Sequence, residues 1–201
     1  MPVADFLARH ADAWGRATRH PFLDAVRDGT LPAGAFDTWL VQDAHFLTGL
    51  LRFQARLLAR APRPAQAVLA GGCVALVEEL DWFGRVAAGR GLDLAAPQLP
   101  ATIAYGDLLY RLDAADVGTA LTALWAIERT YLDAWSAALP GAEEYREFVE
   151  HWTVPAFASY VAGLEAAADA AGPDAGGAGD DAVFLEVVAA ETAFWQTALD
   201  A

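Results

Sequence analysis

The sequence contains no lysine: all 13 basic residues are arginine, and they stand against 27 acidic residues for a formal charge of -14. A chain this acidic repels phosphate backbones and anionic lipid, so neither nucleic acid nor a membrane is expected as a partner. Its densest arginine run, RFQARLLARAPR at 52–63, sets its guanidinium groups mostly opposite an apolar stripe, as a solvated helix face does. There is one cysteine, Cys73, which excludes an internal disulfide framework and a zinc site of the CxxC type. No apolar run approaches the roughly 20 residues of a membrane span. The amino-terminal MPVADFLARHADAW has no apolar run after a basic start, so no secretory signal is expected and the location expected is cytoplasmic. Charged residues make up only 20% against 56% hydrophobic, which excludes a disordered chain and calls for a core thicker than one amphipathic layer.

Alternating β-branched runs bounded by tight turns are also missing, while helical periodicity recurs throughout. The spacing predicts helices over 4–15, 20–28, 33–60, 64–90, 101–112, 117–139, 142–169 and 181–199. The expected architecture is all-α, a single-domain helical bundle spanning 1–201. DGTLP at 28–32, GRGLD at 89–93 and Pro140-Gly141 punctuate it as turns and helix stops. AGPDAGGAGDD, near 171–181, offers nothing to bury and reads as a flexible loop, with Asp180 and Asp181 placed to cap the last helix and complement its dipole.

What the chain does contain is acid in the wrong place. In FDTWLVQDAHFLTGLLRFQ, at 36–54, Phe36, Leu40, Leu47 and Leu50 share one helical face and Asp43 sits at its middle. In LTALWAIERTYLDAW the face Leu121, Leu124, Trp125, Leu132 and Trp135 surrounds Glu128, and in FLEVVAAETAFWQTAL the face Phe184, Val187, Val188, Trp195 and Ala198 surrounds Glu191. A lone buried carboxylate costs several kcal/mol unless it is paired, hydrogen-bonded or protonated. Three such acids point to one shared cavity, which Tyr105, Tyr110, Tyr131, Trp39, Trp125, Trp135, Trp152 and Trp195 are candidates to line. Glu79 lies at the edge of its helix's apolar face, beyond Leu76, Leu80 and Phe83, as either a further pocket member or a structural acid.

A carboxylate di-iron bundle needs Glu-x-x-His pairs, but the residues three after Glu79, Glu128 and Glu191 are Trp82, Tyr131 and Phe194. His10, His20, His45 and His151 all lack that spacing, and His45 points away from the stripe of Asp43, so neither a metal nor another cofactor is expected. The chemistry that fits an acidic, aromatic pocket is a flat, protonatable organic cation or amidine: carboxylates accept paired hydrogen bonds from an edge such as that of an aminopyrimidine, and rings stack on its face. A carboxyl of raised pKa there is suited to protonating a leaving amine or activating water.

HPFLDAVRDGTLPAGAFDTWLVQDAHFL, at 20–47, resembles the amino-terminal signature of the TenA or thiaminase II family, within the haem-oxygenase-like helical superfamily. Pro100 to Tyr105, LWAIERTYLDAW, WTVPAF and ETAFW continue the resemblance over most of the chain. It implies hydrolysis at the aminomethyl-pyrimidine part of thiamin or its degradation products, in a homo-oligomer. It matches Asp43 to a pyrimidine-binding aspartate, Tyr105 to a pocket tyrosine and Glu191 to the carboxy-terminal catalytic glutamate. Phe46 and Trp152 stand where that pattern has tyrosines, and Ala123-Leu124 replaces its Pro-Cys nucleophile segment, while Cys73 reads as a small buried hydrophobe on another helix.

The chain therefore resembles the branch that lacks the thiol and carries a Glu in WAIE, associated with aminomethyl- and formylaminomethyl-pyrimidine. Without a thiolate, the expected chemistry is direct attack by water, Glu128 and Glu191 dividing general-acid and general-base duties and Asp43 orienting the ring. Two other classes remain open on sequence: a non-catalytic pyrimidine-binding or regulatory protein, and a cofactor-using oxidase on the same scaffold.

Overall fold

The computed structural model describes residues 2–171 and 178–200, and among the described residues there are ten helices and no strand. They are α1 (Asp5–Arg9), α2 (Ala11–Thr18), α3 (Pro21–Asp28), α4 (Ala35–Arg60), α5 (Arg63–Arg90), α6 (Pro100–Leu112), α7 (Val117–Ala137), α8 (Arg146–His151), α9 (Pro155–Ala170) and α10 (Ala178–Leu199). The long helices fall where the periodicity puts them. Gly91 closes α5 at φ 70°, a left-handed conformation that glycine adopts without strain. Asp116 starts α7 by accepting the Thr119 backbone N–H at 3.0 Å.

Two expected helices are each split. The segment 4–15 breaks at His10, whose φ of -115° and ψ of 35° end α1. That break sets the His10 ring 2.7 Å from Asp181 and leaves Phe6 stacked on Phe184 at 5.3 Å. Contacts with α10 override a locally continuous pattern. The segment 142–169 breaks because Pro155 pushes Val154 to an extended ψ of 147° and restarts the chain as α9.

Of the loop expected near 171–181, residues 172–177 lie outside the described residues, and Ala178 to Asp181 already belong to α10. Asp180 and Asp181 thus sit inside the first turn, where they suit the helix dipole, and each has a distant partner: Asp180 accepts from Thr119 at 3.0 Å and Asp181 pairs with Arg9 at 2.6 Å. The expectation that no run is long and apolar enough for a membrane span is corrected by Asp180–Leu199, which is, by length and composition. Here it is a core helix: Phe184, Val187, Val188, Phe194, Trp195 and Ala198 are buried, and it packs on α2, α3, α4, α6 and α7.

At the centre runs α7, which touches α2, α3, α4, α6, α9 and α10 and is buried at every position from Ala120 to Glu128. A helix apolar all round belongs in the middle of a bundle. Around it the indoles interlock: Trp39 meets Trp135 at 5.1 Å edge-to-face and Trp195 at 5.9 Å stacked, while Trp135 meets Trp152 at 4.4 Å. The stripe of α4 is buried as expected, including Phe36, Leu40, Leu47, Leu50 and Asp43.

The same helix fixes the α5–α6 connection. Gln42 donates to the Pro97 carbonyl at 3.1 Å and accepts from the Leu99 N–H at 2.8 Å and the Thr102 hydroxyl at 2.7 Å, while His45 Nε2 lies 2.8 Å from the Ala96 carbonyl. This bond set holds the start of α6, and so Tyr105, against α4. Gln42→Ala strips a part-buried N–H and a buried hydroxyl of their acceptor, so it is expected to cost about 2–4 kcal/mol. For a chain of this size the loss reads as a fall of roughly 5–15 °C in Tm by calorimetry; an unchanged Tm would refute the anchoring role.

Candidate active site

Seven helices converge on one group of acids. α4 supplies Asp43, α5 Glu79, α7 Glu128 and α10 Glu191, while α6, α8 and α9 bring hydroxyl and imidazole groups to them and Trp152, just past α8, brings an indole. Asp43, Glu128 and Glu191 are all buried. Each is reached by a phenol: Tyr131 donates to Asp43 Oδ2 at 3.2 Å, Tyr105 donates to Glu191 Oε1 at 2.5 Å, and the Tyr160 hydroxyl lies beside Glu128. Glu79 takes the Trp152 indole N–H on Oε1 at 2.7 Å, and its Oε2 lies 2.7 Å from His151 Nε2. His151 in turn lies flat on Trp82, ring centroids 4.1 Å apart and 9° from parallel. Among the described residues no hydrogen bond reaches Asp43 Oδ1, a buried acceptor without a donor.

A cavity of about 420 Å³ opens beside these groups, walled by Phe46, Leu47, Leu50, Gly72, Leu76, Glu79, Trp82, Ile127, Glu128, Tyr131, His151, Trp152, Phe157 and Tyr160 among others. Of the residues predicted for the site, Phe46, Glu79, Glu128 and Trp152 are on its wall. Asp43, Tyr105 and Glu191 are not; they stand one layer deeper, behind Tyr131, which bonds Asp43, and Phe46, whose ring is 4.5 Å from that of Tyr105. Among the aromatic candidates only Tyr131 and Trp152 reach the wall. Tyr110 is 75% exposed, Trp39, Trp135 and Trp195 belong to the core, and Trp125 donates to Glu165 at 3.3 Å. Cys73 is half-buried rather than buried, and it is absent from the cavity's lining.

The electrostatics of the three buried acids follow from burial, with no cation among the groups that shift them. Desolvation pushes Glu128 and Glu191 from the ordinary 4.5 up to about 8. For Glu128 the charges of Glu191 and Glu79 add to it and the Tyr160 hydroxyl opposes it; for Glu191 the Tyr105 bond opposes it. Asp43 is raised well above its ordinary value, first by burial and further by Glu79, Glu191 and Glu128, against the Tyr131 bond. Near neutral pH, then, the pocket is poised to hold protons and to release them to, or for, a ligand. Among the described residues no group of three or more His, Cys, Asp or Glu side chains has the geometry to hold a metal ion.

Sequence reasoning missed Tyr160, Gln54, Gly72 and the role of His151. Gln54 had a signal: it follows Asp43 by 11 residues, three helical turns, and is a second polar group on the same buried stripe. Tyr160 had none, since a tyrosine on an apolar helix face is ordinary core.

The TENA/THI-4/PQQC family profile matches residues 7–201. A probable bifunctional TENA-E protein from Glycine max is 32% identical over 173 residues, which are 80% of this chain and 75% of that protein. The thiamine biosynthesis multifunctional protein ThiED of Corynebacterium efficiens is 32% identical over 81% of this chain, which spans only 24% of that longer protein. Among solved structures, a TenA homologue from Pyrococcus furiosus superposes with a TM-score of 0.92 at 27% identity, covering 98% of this chain and 100% of that one. A TenA family transcription regulator from Silicibacter sp. TM1040 has a TM-score of 0.90 over 100% of this chain and 97% of its own, at 20% identity, a likeness of fold alone. The fold is thus the all-α, haem-oxygenase-like bundle, and the chain belongs to the TENA/THI-4/PQQC family.

Proposed function

We propose that this chain is an aminopyrimidine aminohydrolase of thiamin salvage, converting aminomethyl- or formylaminomethyl-pyrimidine to hydroxymethylpyrimidine, and that it belongs to the branch that uses Glu128 in place of a thiol. The observation that carries this reading is the set of buried, protonatable carboxyls of Asp43, Glu128 and Glu191 beside an aromatic-walled cavity that Cys73 does not line. The thiamin link is supported by family membership and by a relative named for thiamine biosynthesis.

Asp43, with one acceptor oxygen unpaired, grips the amino edge of the ring, and Phe46, Tyr131 and Trp152 hold its faces. A shift of Phe46 or Tyr131 is needed to admit the ring to the deeper acids. Water attacks the exocyclic methylene carbon, the C–N bond breaks, and Glu128 and Glu191 carry the two protons that move. Where the thiol of the other branch would stand, Ala123 and Leu124 are fully buried, and Glu128 follows Leu124 by one helical turn. The exposed apolar side chains Val74 and Val77 of α5 and Ile103 and Tyr110 of α6 support a homo-oligomer.

Incubation with aminomethylpyrimidine, its formyl derivative and thiamin separates the substrates. Release of hydroxymethylpyrimidine and ammonia from the first, and loss of kcat/KM by about 10²-fold or more in Asp43→Asn and Glu191→Gln, are expected. No release from any of the three would overturn the reading.

The same ionisations set stability. Glu128 and Glu191 keep their protons to about pH 8 when folded, but release them near the ordinary carboxylate value, about 4.3, when unfolded. Between those values the folded state binds more protons, so stability falls as pH rises and levels off above pH 8. The Tm of the ligand-free protein should drop by several degrees from pH 5 to pH 8, and Glu128→Gln and Glu191→Gln should each flatten that slope. A slope equally steep in both variants would show that these carboxyls are not its source.

A further inference from the structure

The cavity is graded from floor to rim. Its inner wall is buried at Leu50, Ile127 and Glu128, its middle is half-buried at Trp82, His151 and Phe157, and its outer edge is exposed at Glu78, Arg85 and Val154. Asp43 stands behind the inner wall, so a pyrimidine gripped by Asp43 has its exocyclic nitrogen at Glu128, and the rest of the 420 Å³ is left to whatever that nitrogen carries. A free amino group fills little of a space that is within the range of sites enclosing whole organic ligands.

Both sides of the middle section are held by the protein itself. On one side Glu79 spends its two oxygens on two rings: Oε1 accepts the Trp152 N–H at 2.7 Å, and Oε2 lies 2.7 Å from His151 Nε2. His151 lies parallel to Trp82 with centroids 4.1 Å apart, and Trp152 packs on Trp135 at 4.4 Å. On the other side the Tyr160 ring stacks with that of Phe157 at 6.3 Å. Tyr160 donates to Gln54 Oε1 at 3.0 Å, and Gln54 Nε2 donates to the Leu69 carbonyl at 2.9 Å. Gly72 leaves the space for that pair: a Cβ there would strike the Gln54 amide nitrogen and lie 2.5 Å from the Tyr160 oxygen. With both oxygens of Glu79 engaged, the middle section asks for no charge from its occupant and offers it flat rings.

We propose that this outer half is a leaving-group subsite for a flat, uncharged aryl substituent on the departing nitrogen, with Trp82 and His151 as its specificity-determining residues. The chain then also hydrolyses N-arylmethyl derivatives of aminomethylpyrimidine, a substrate class that rests on the hydrolytic reading above. The water oxygen bonds to the exocyclic methylene carbon of the pyrimidine as the C–N bond breaks. One proton of that water reaches the departing nitrogen through the carboxyls of Glu128 and Glu191. The products are hydroxymethylpyrimidine and a primary arylmethylamine, and no other reactant is consumed.

The test compares N-benzylaminomethylpyrimidine with the unsubstituted amine, following hydroxymethylpyrimidine from both and benzylamine from the first. In the wild-type chain the benzyl compound should have a KM lower by about tenfold or more. Trp82→Leu should raise that KM about 3- to 10-fold and leave the unsubstituted amine within about twofold. Val154→Trp, at a position 42% exposed where a substitution leaves the core alone, should fill the outer half. It should lower kcat/KM for the benzyl compound by about tenfold or more and spare the small amine. A benzyl compound held no tighter than the amine, or handled alike by wild type and both variants, overturns the subsite. A Trp82→Leu chain that loses equally on both substrates overturns Trp82 as a specificity residue. If the wild-type chain hydrolyses neither compound, the functional reading fails, and the dissociation constants of the two compounds by calorimetry, in wild type and Val154→Trp, still decide the subsite.

Discussion

Everything at the centre of this bundle answers to one constraint: carboxyls are buried where no arginine or lysine reaches them. A buried carboxyl without a cation must be protonated, or must accept from neutral donors. Here those donors come from elements distant in the chain, Tyr105 of α6 for Glu191 and Tyr131 of α7 for Asp43, while half-buried Glu79 takes the Trp152 N–H and lies 2.7 Å from His151. Each bond ties two helices together, so rotating any one of them by a residue would strand an acid. The polar cluster thereby specifies the register of a core whose apolar contacts are non-directional.

The aromatic core supports the same arrangement from the other side. Trp39, Trp135 and Trp195 interlock around α7, and the ring of Trp135 packs against that of Trp152, whose N–H reaches Glu79. The indole is set by packing and its N–H by the acid. The cavity sits at the seam, with rings on its wall, three phenols and an indole pointing their polar atoms at carboxyls, and its deepest acids shielded from solvent by Phe46 and Tyr131.

Much of this was legible in the sequence because acids at the middle of apolar stripes contradict the rule that makes a helix amphipathic. Asp43, Glu128 and Glu191 stood out for that reason, and the structure buries all three side by side. What sequence periodicity does not carry is which side of a buried helix meets a cavity. Tyr110 shares α6 with Tyr105 and reads alike as an aromatic, yet five residues further round the helix it lies 75% exposed. Nor does it carry contacts that span the chain: the break at His10 depends on Asp181, 171 residues away. The apolar stretch of α10 shows the same ambiguity, since a core helix and a membrane span share length and composition and differ in what packs against them.

The arginines explain why the acids stay uncompensated. They are spent at the surface, Arg9 on Asp181, Arg27 on Asp24, Arg56 on Asp113, Arg90 on Asp37, Arg111 on Glu186 and Arg129 on Asp133. Arg85 is exposed at the cavity's edge and pairs with none of the four acids. A guanidinium within about 4–6 Å of Glu128 or Glu191 would hold the carboxyl ionised and pull its pKa down by one to three units, satisfying the pocket permanently. Without one, a positive charge beside Asp43, Glu128 and Glu191 has to come from the ligand. A protonatable amine entering beside Asp43 supplies the charge that lets one carboxyl ionise, so ligand binding and proton placement become the same event. That coupling exists only because the fold withholds an internal counter-charge, which is why the acidic balance of the chain and the placement of its arginines bear on chemistry as well as on solubility.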